Sequence, residues 1–277
     1  MDAVDFVDSV GWTRSSALTW SRLAPNPGPM TLDGTNSYII SAPGSAGVVV
    51  VDPGPVDEPH LRALAGRGMV ELVLITHWHR DHTAGSRRFR DLTGAPVRAL
   101  AAAYCLGGQP LQPGERITAA GVRIEVIATP GHTADSVCFW LPDDGPTGSV
   151  LTGDTILGRG STVIDYPDGR LGAYLRSLET LERMGPARLL PAHGPALPDL
   201  AAASGAYLAH RNERLVQVRT ALEQLGPQAS AAGVAAVVYA DTPVEVRAAA
   251  ELSVAAQLEF LRGGSTAVRG ARADDVK

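Results

Sequence analysis

The sequence predicts a layered α/β fold that carries a small helical domain at its C-terminal end. Three observations predict it. Short runs rich in Val, Ile and Leu, bounded by Gly and Pro turns, recur up to about residue 195. Amphipathic helical stretches fall between several of these runs. From about residue 198 the chain changes to Ala-rich helical sequence. At 277 residues, 45% of them hydrophobic, the chain can bury a sizeable core with a second, smaller one.

In chain order the expected strands are 37–41 (SYIIS), 47–52 (GVVVVD), 71–77 (ELVLITH), 96–100 (PVRAL), 122–129 (VRIEVIAT), 137–141 (VCFWL), 149–154 (SVLTGD) and 187–193 (ARLLPAH). Several are apolar on both faces, as in a sheet covered on both sides. Helices are expected at 58–67, at about 85–92, and at 172–184, where Leu175, Leu178, Leu181 and Met184 recur at helical spacing. The boundaries follow: a larger domain over 1–197 and a helical one over 198–277. The latter holds three helices, the last opened by Thr242-Pro243 with Val246, Leu252, Leu258 and Leu261 on one buried face, and then a disordered tail from about residue 266.

Composition removes several classes of function. The net charge of −5 gives no global attraction to nucleic acid, although a local basic patch remains open. Lys277 is the only lysine, which excludes a catalytic lysine in the body of the chain. An acidic N-terminus and no long apolar window predict a cytoplasmic protein with no membrane association. Cys105 and Cys138 lack C-x-x-C spacing and read as buried free thiols.

The histidines carry the chemistry. His77, His79 and His82 stand with Asp81 in THWHRDH, His132 in TPGHT and His193 in PAHG, and Asp154 ends the TGD run. Five of seven histidines therefore sit at the ends of expected strands, with only His60 and His210 elsewhere. Imidazole and carboxylate ligands converging from strand ends are what a catalytic metal requires.

In order, VDPG, HWHRDH, GHT, TGD and AHG resemble the five motifs of the metallo-β-lactamase-fold hydrolases. The resemblance implies an αββα sandwich and two zinc ions per chain. One ion would sit on His77, His79 and His132, and the other on Asp81, His82 and His193. Asp154 would bridge them, and Asp52 would support the metal loop from behind. Asp81, Asp154 and His193 are the expected catalytic groups. Two ions a few ångströms apart acidify a shared water and polarise the bond under attack, so no Ser or Cys nucleophile is needed. Iron and manganese can occupy similar sites. Trp78 and Arg80 alternate with the ligands and are expected to pack or solvate the loop.

NPGPMTLDGTNSYII at 26–40 and LAHRNERLVQV at 208–218 narrow the resemblance to the lactamase-beta-2-like branch, whose C-terminal helices form a small winged-helix-like domain. That branch implies RNA or an acyl thioester as the substrate. Cleavage of single-stranded RNA is the favoured expectation, with thioester or small ester/lactone hydrolysis as the alternative. Thr35 and Asn36 are either substrate donors or ordinary turn residues. Arg159 is a further substrate candidate. Arg87, Arg88, Arg90 and Arg98, against Asp91, are a phosphate track or a solvated helix face. His210, Arg211 and Asn212 read as polar helix surface more readily than as cleft. From residue 206 onward eight basic residues balance eight acidic ones, so the helical domain need not bind nucleic acid; it is a cover for the cleft or a support for a homodimer.

Overall fold

The computed structural model describes residues 7–8, 11–241 and 246–269. Two sheets stack face to face. The first has the order β1 (Thr13–Arg14), β2 (Thr19–Leu23), β3 (Asn36–Ile40), β4 (Gly47–Val51), β5 (Met69–Leu74) and β6 (Val97–Arg98). The second runs β11 (Arg188–Pro191), β10 (Ser149–Gly153), β9 (Val137–Leu141), β8 (Val122–Ala128) and β7 (Arg116–Ala119). The eight expected strands are all present, 137–141 with the same ends and the others with shifted ones, the 96–100 run shrinking to two residues. The strands β1, β2 and β7 are ones that the sequence did not announce.

Between the sheets, Tyr38, Ile40, Val49, Val51, Leu72 and Leu74 meet Val122, Ile124, Val126, Phe139, Leu141 and Leu151. The opposite face of the first sheet packs Val48, Val50 and Val73 on Leu61 and Leu64 of α1 (Glu58–Ala65) and Phe89 of α3 (Ser86–Thr93). The opposite face of the second packs Cys138, Val150 and Leu189 on Tyr174, Leu178 and Leu181 of α4 (Leu171–Arg183). The result is an αββα sandwich. Strands apolar on both faces are thereby explained, since β4 and β10 are buried along their whole length.

After β11 come α5 (Leu200–Leu225), α6 (Ala231–Val238) and α7 (Arg247–Arg269), and no strand follows β11 among the described residues. The N-terminal part of α5, up to Leu215, joins the α4 layer through Leu200 and Leu215, and its C-terminal part packs Val218 and Ala221 against Val234 of α6 and Val254 and Leu258 of α7. The buried face of α7 uses Ala250, Val254 and Leu258, four residues apart, while Leu252 is 38% exposed. Leu252 therefore leaves the expected buried face. Thr242-Pro243 lies outside the described residues, as do 270–277; α7 extends to Arg269, so the expected tail is helical at its start. No helix among the described residues is long and apolar enough to cross a membrane.

Candidate metal centre

Strand direction assembles the site. β4 and β5 are parallel, so Asp52 and the THWHRDH loop emerge at one edge of the first sheet. In the second sheet β10 and β11 are parallel, and β8 is antiparallel to β9, which is antiparallel to β10. β8, β10 and β11 therefore end together, and so present His132, Asp154 and His193 at a common edge. The one-turn helix α2 (Arg80–Thr83) carries Asp81 and His82 back towards them.

Two clusters result. His77 Nε2, His79 Nδ1 and His132 Nε2 lie 3.0, 3.0 and 3.2 Å from one another. Asp154 Oδ2 is 3.6 Å from His132 Nε2 and 3.9 Å from His77 Nε2. In the second cluster His82 Nε2 and His193 Nε2 are each 3.2 Å from Asp81 Oδ2, and Asp154 Oδ1 is 3.6 and 3.3 Å from them. Asp154 thus offers one oxygen to each cluster.

The donors fit metal ions better than they fit one another. His82 Nε2, His193 Nε2 and Asp154 Oδ1 are buried with no hydrogen-bond partner, a costly state for polar atoms. Three ring nitrogens in mutual contact cannot all be satisfied by shared protons. Tetrahedral nitrogens about 2.1 Å from one ion would lie roughly 3.4 Å apart, close to the spacing here.

The remaining ring nitrogens orient the ligands. His82 Nδ1 lies 2.8 Å from Asp52 Oδ2, His132 Nδ1 2.7 Å from the Val163 carbonyl, His193 Nδ1 3.0 Å from the Gly34 carbonyl, and His79 Nε2 3.1 Å from Asp165 Oδ2. Thr76 donates through its hydroxyl to Asp52 Oδ2 (2.6 Å) and through its backbone N–H to Asp52 Oδ1 (2.8 Å), leaving the hydroxyl oxygen to accept from His77 Nδ1 at 3.1 Å. Each imidazole then turns a lone pair to the metal side. Asp52 thus contacts Thr76 and His82 from behind the loop, and Asp165 and Thr76 are participants the sequence did not reveal.

Charge follows the same arrangement. Burial opposes ionisation of Asp81, but neighbouring His82 and His193 outweigh it and hold the carboxyl well below the usual range; Asp154 is depressed likewise. Burial also disfavours the charged form of His193, yet Asp154 and Asp81 push it up to about 10, and His82 is raised too. In the absence of a cation, protons on these two rings balance the carboxylates. His77 and His132 are held below the usual range chiefly by burial; at His77 the His82 ring adds to that effect, and at His132 Asp154 opposes it without cancelling it.

The other candidates have assigned partners. Thr35 is fully buried; it accepts from Asn26 Nδ2 (3.0 Å) and lies 3.4 Å from Asp81 Oδ2. Asn36 donates to the Pro191 and Gly194 carbonyls, tying β3 to the His193 loop. Both brace the centre. Arg159 forms a two-pronged ion pair with Asp33 (2.6 and 2.9 Å). Trp78 donates to Asp168, and Arg80 is exposed. Arg88 is paired with Glu58 and Arg98 with Glu115. Of His210, Arg211 and Asn212, Arg211 is buried at 3% exposure, contrary to a surface reading. Both cysteines are free, Cys138 buried and Cys105 half-buried.

Two cavities open on the centre. One, of about 400 Å³, places Met30, Val163, Ala248, Ala249 and Leu252 around His79, Asp81, His132, Asp154 and Asp165. The other, of about 360 Å³, shares His132 and Asp154 and extends to Arg211, Arg214 and Tyr239.

The sequence pattern of the Metallo-beta-lactamase superfamily matches residues 30–193, a span that contains all seven ligands. The chain belongs to this superfamily. As a metallo-beta-lactamase superfamily member it is a metal-dependent hydrolase with a His/Asp metal site. It is 31% identical over 241 residues to the Beta-lactamase-like protein 2 homolog of Caenorhabditis elegans, covering 82% of this chain and 78% of that protein. It is 34% identical over 211 residues to the Atrochrysone carboxyl ACP thioesterase of Aspergillus chevalieri, covering 73% of this chain and 65% of that protein. The crystal structure of a metallo-beta-lactamase family protein from Thermus thermophilus superposes with a TM-score of 0.74 at 23% identity, covering 89% of this chain and 94% of that one; at that identity the likeness concerns the fold.

Proposed function

We propose that this hydrolase cleaves acyl thioesters, with zinc in both metal positions. The observation that carries the reading is the apolar wall of the cavity on the metal centre, where Ala248, Ala249 and Leu252 of α7 face the ligands together with Met30 and Val163. Such a wall suits an acyl chain and excludes bulk water. Residues 198–277 would then serve as the unit that covers the cleft. The similarity to a protein named as an acyl-carrier thioesterase supports the same chemistry.

When bound, the ions supply an activated water and a Lewis-acid pull on the carbonyl oxygen. The chain supplies the rest. Asp154 spans both positions, Asp52, Thr76 and Asp165 hold the imidazoles in register, and the α7 wall orients the acyl group. Cys138 is unsuited as a nucleophile, because burial pushes its thiol up to about 11. The RNA reading loses support because Arg88 and Arg98 are ion-paired and none of Arg87, Arg88, Arg90 and Arg98 lines either cavity.

The test is thiol release from short acyl thioesters by the zinc-loaded protein. Turnover is expected in the wild type and background rates in His77→Ala and Asp154→Ala. Inert thioesters, together with discrete cuts in a labelled single-stranded RNA that the Asp81→Ala variant does not make, would overturn the proposal in favour of a ribonuclease.

A further inference from the structure

Arg211 lines the 360 Å³ cavity from α5 and is 3% exposed, yet no carboxylate lies within ion-pair distance of it among the described residues. Its guanidinium donates to the Thr162 carbonyl and lies over the Tyr174 ring at 5.1 Å, while its Nε has no partner. A buried cation of this kind is unfavourable unless an anion completes it. One turn further along α5, Arg214 lines the same cavity; it donates to Gln217 Oε1 at 2.7 Å and lies 4.9 Å over the Tyr239 ring, again with no acidic partner among the described residues. The third arginine of this cavity, Arg159, is already matched by Asp33. Metal ligands His132 and Asp154 line the same space.

We propose that Arg211 and Arg214 form an anion subsite, which binds a carboxylate or phosphate carried by the substrate while the scissile carbonyl sits at the metal centre. The rest of the lining, with Met30, Leu32, Leu157, Val163 and Ala249, suits the apolar stretch between the two. Guanidinium groups favour such oxygen pairs through charge-assisted hydrogen bonds. The substrate class narrows accordingly to acyl thioesters with an anionic group on the acyl chain or on the thiol arm. The inference relies on the thioesterase reading for turnover but not for binding.

Two arms separate those dependences. In the first, kcat/KM is compared for the glutaryl N-acetylcysteamine thioester and its neutral carboxyl methyl ester, and for butyryl thioesters of N-acetylcysteamine and 4′-phosphopantetheine. The wild type should prefer one anionic member at least tenfold: glutaryl if the anion sits on the acyl group, phosphopantetheine if it sits on the thiol arm. Arg214→Gln and Arg211→Gln should collapse that ratio, and Arg211→Lys should retain part of it. Arg211 also braces the loop in which the Thr162 hydroxyl donates to the Asp154 carbonyl. A purely bracing role would slow all four substrates alike and leave the ratio unchanged, which would overturn the proposal. In the second arm, calorimetry measures binding of glutarate and of 4′-phosphopantetheine to zinc-loaded wild type and to Arg211→Gln/Arg214→Gln. At least tenfold weaker binding of one probe to the variant is expected even if no thioester is hydrolysed. Equal binding of both probes would overturn the subsite.

Discussion

Five metal-facing imidazoles each direct the second ring nitrogen to an oxygen, and Asp165 supplies one of those oxygens from a position partly open to solvent, at 30% side-chain exposure. Its carboxylate faces His79 Nε2 across 3.1 Å and so keeps Nδ1 free for the first ion. Removing such a support costs about 10–100-fold in metal affinity. Asp165→Ala should therefore weaken the first ion by roughly that factor while leaving the second in place, whereas Asp165→Asn, which can still accept from Nε2, should stay near wild type. Chelator competition followed ion by ion checks this; undiminished affinity in the alanine variant would contradict it. The seven candidate ligands were legible because four crowd into one loop and three follow apolar runs. Asp165 was not, because it lies 86 residues from its histidine in an irregular loop, where no spacing rule links the two. Arg211 was misjudged for a related reason: a helix's sequence does not say which polar residue is turned inward.

The THWHRDH and TPGHT segments work only if the elements behind them come close enough. At Gly131, just ahead of His132, φ is +147°, and a Cβ would fall 2.3 Å from Tyr174 Cα and 2.5 Å from Tyr174 N, on the backbone of α4. That glycine is required by close approach of the loop to the helix. Gly131→Ala should destabilise the fold by about 1–3 kcal/mol, the usual range for overpacking, and displace His132 from the first metal position. Thermal melts together with metal content test both effects, and an unchanged melting temperature would show that α4 can yield. At this scale the long apolar strands were readable from composition. β2 was not, since Thr19, Ser21 and Arg22 dilute its apolar signal, and its register follows from being held between β1 and β3. β7 is only four residues and exists as the antiparallel partner of β8. On α7, Ala250 rather than Leu252 faces the core, because a small residue allows the helices to approach while the larger one turns to the metal-side cavity.

The two sheets meet at the candidate metal centre, since His77, His79, Asp81 and His82 come from the first sheet's edge and His132, Asp154 and His193 from the second's. Ions bound to all seven therefore bridge the two halves of the sandwich, and the metal-loaded fold gains stability by mass action. How much it gains should depend on pH. Without ions, His193 has its folded pKa raised to about 10 by Asp154 and Asp81, and His82 is raised as well. A raised imidazole pKa contributes stability that is complete below the unfolded value, about 6.5, and is lost as pH climbs through the folded value. The metal-free protein should thus lose stability between about pH 6.5 and 10. An ion at the second position replaces those protons, so it binds more tightly as pH rises, by roughly tenfold per unit for each proton displaced. The gap in melting temperature between zinc-loaded and chelated protein should consequently widen from pH 7 to pH 9, and zinc binding at pH 7 should release protons into the buffer. A gap that stays constant over that interval, with no proton release, would mean that His82 and His193 are already neutral in the empty site and that the carboxylates are balanced in another way.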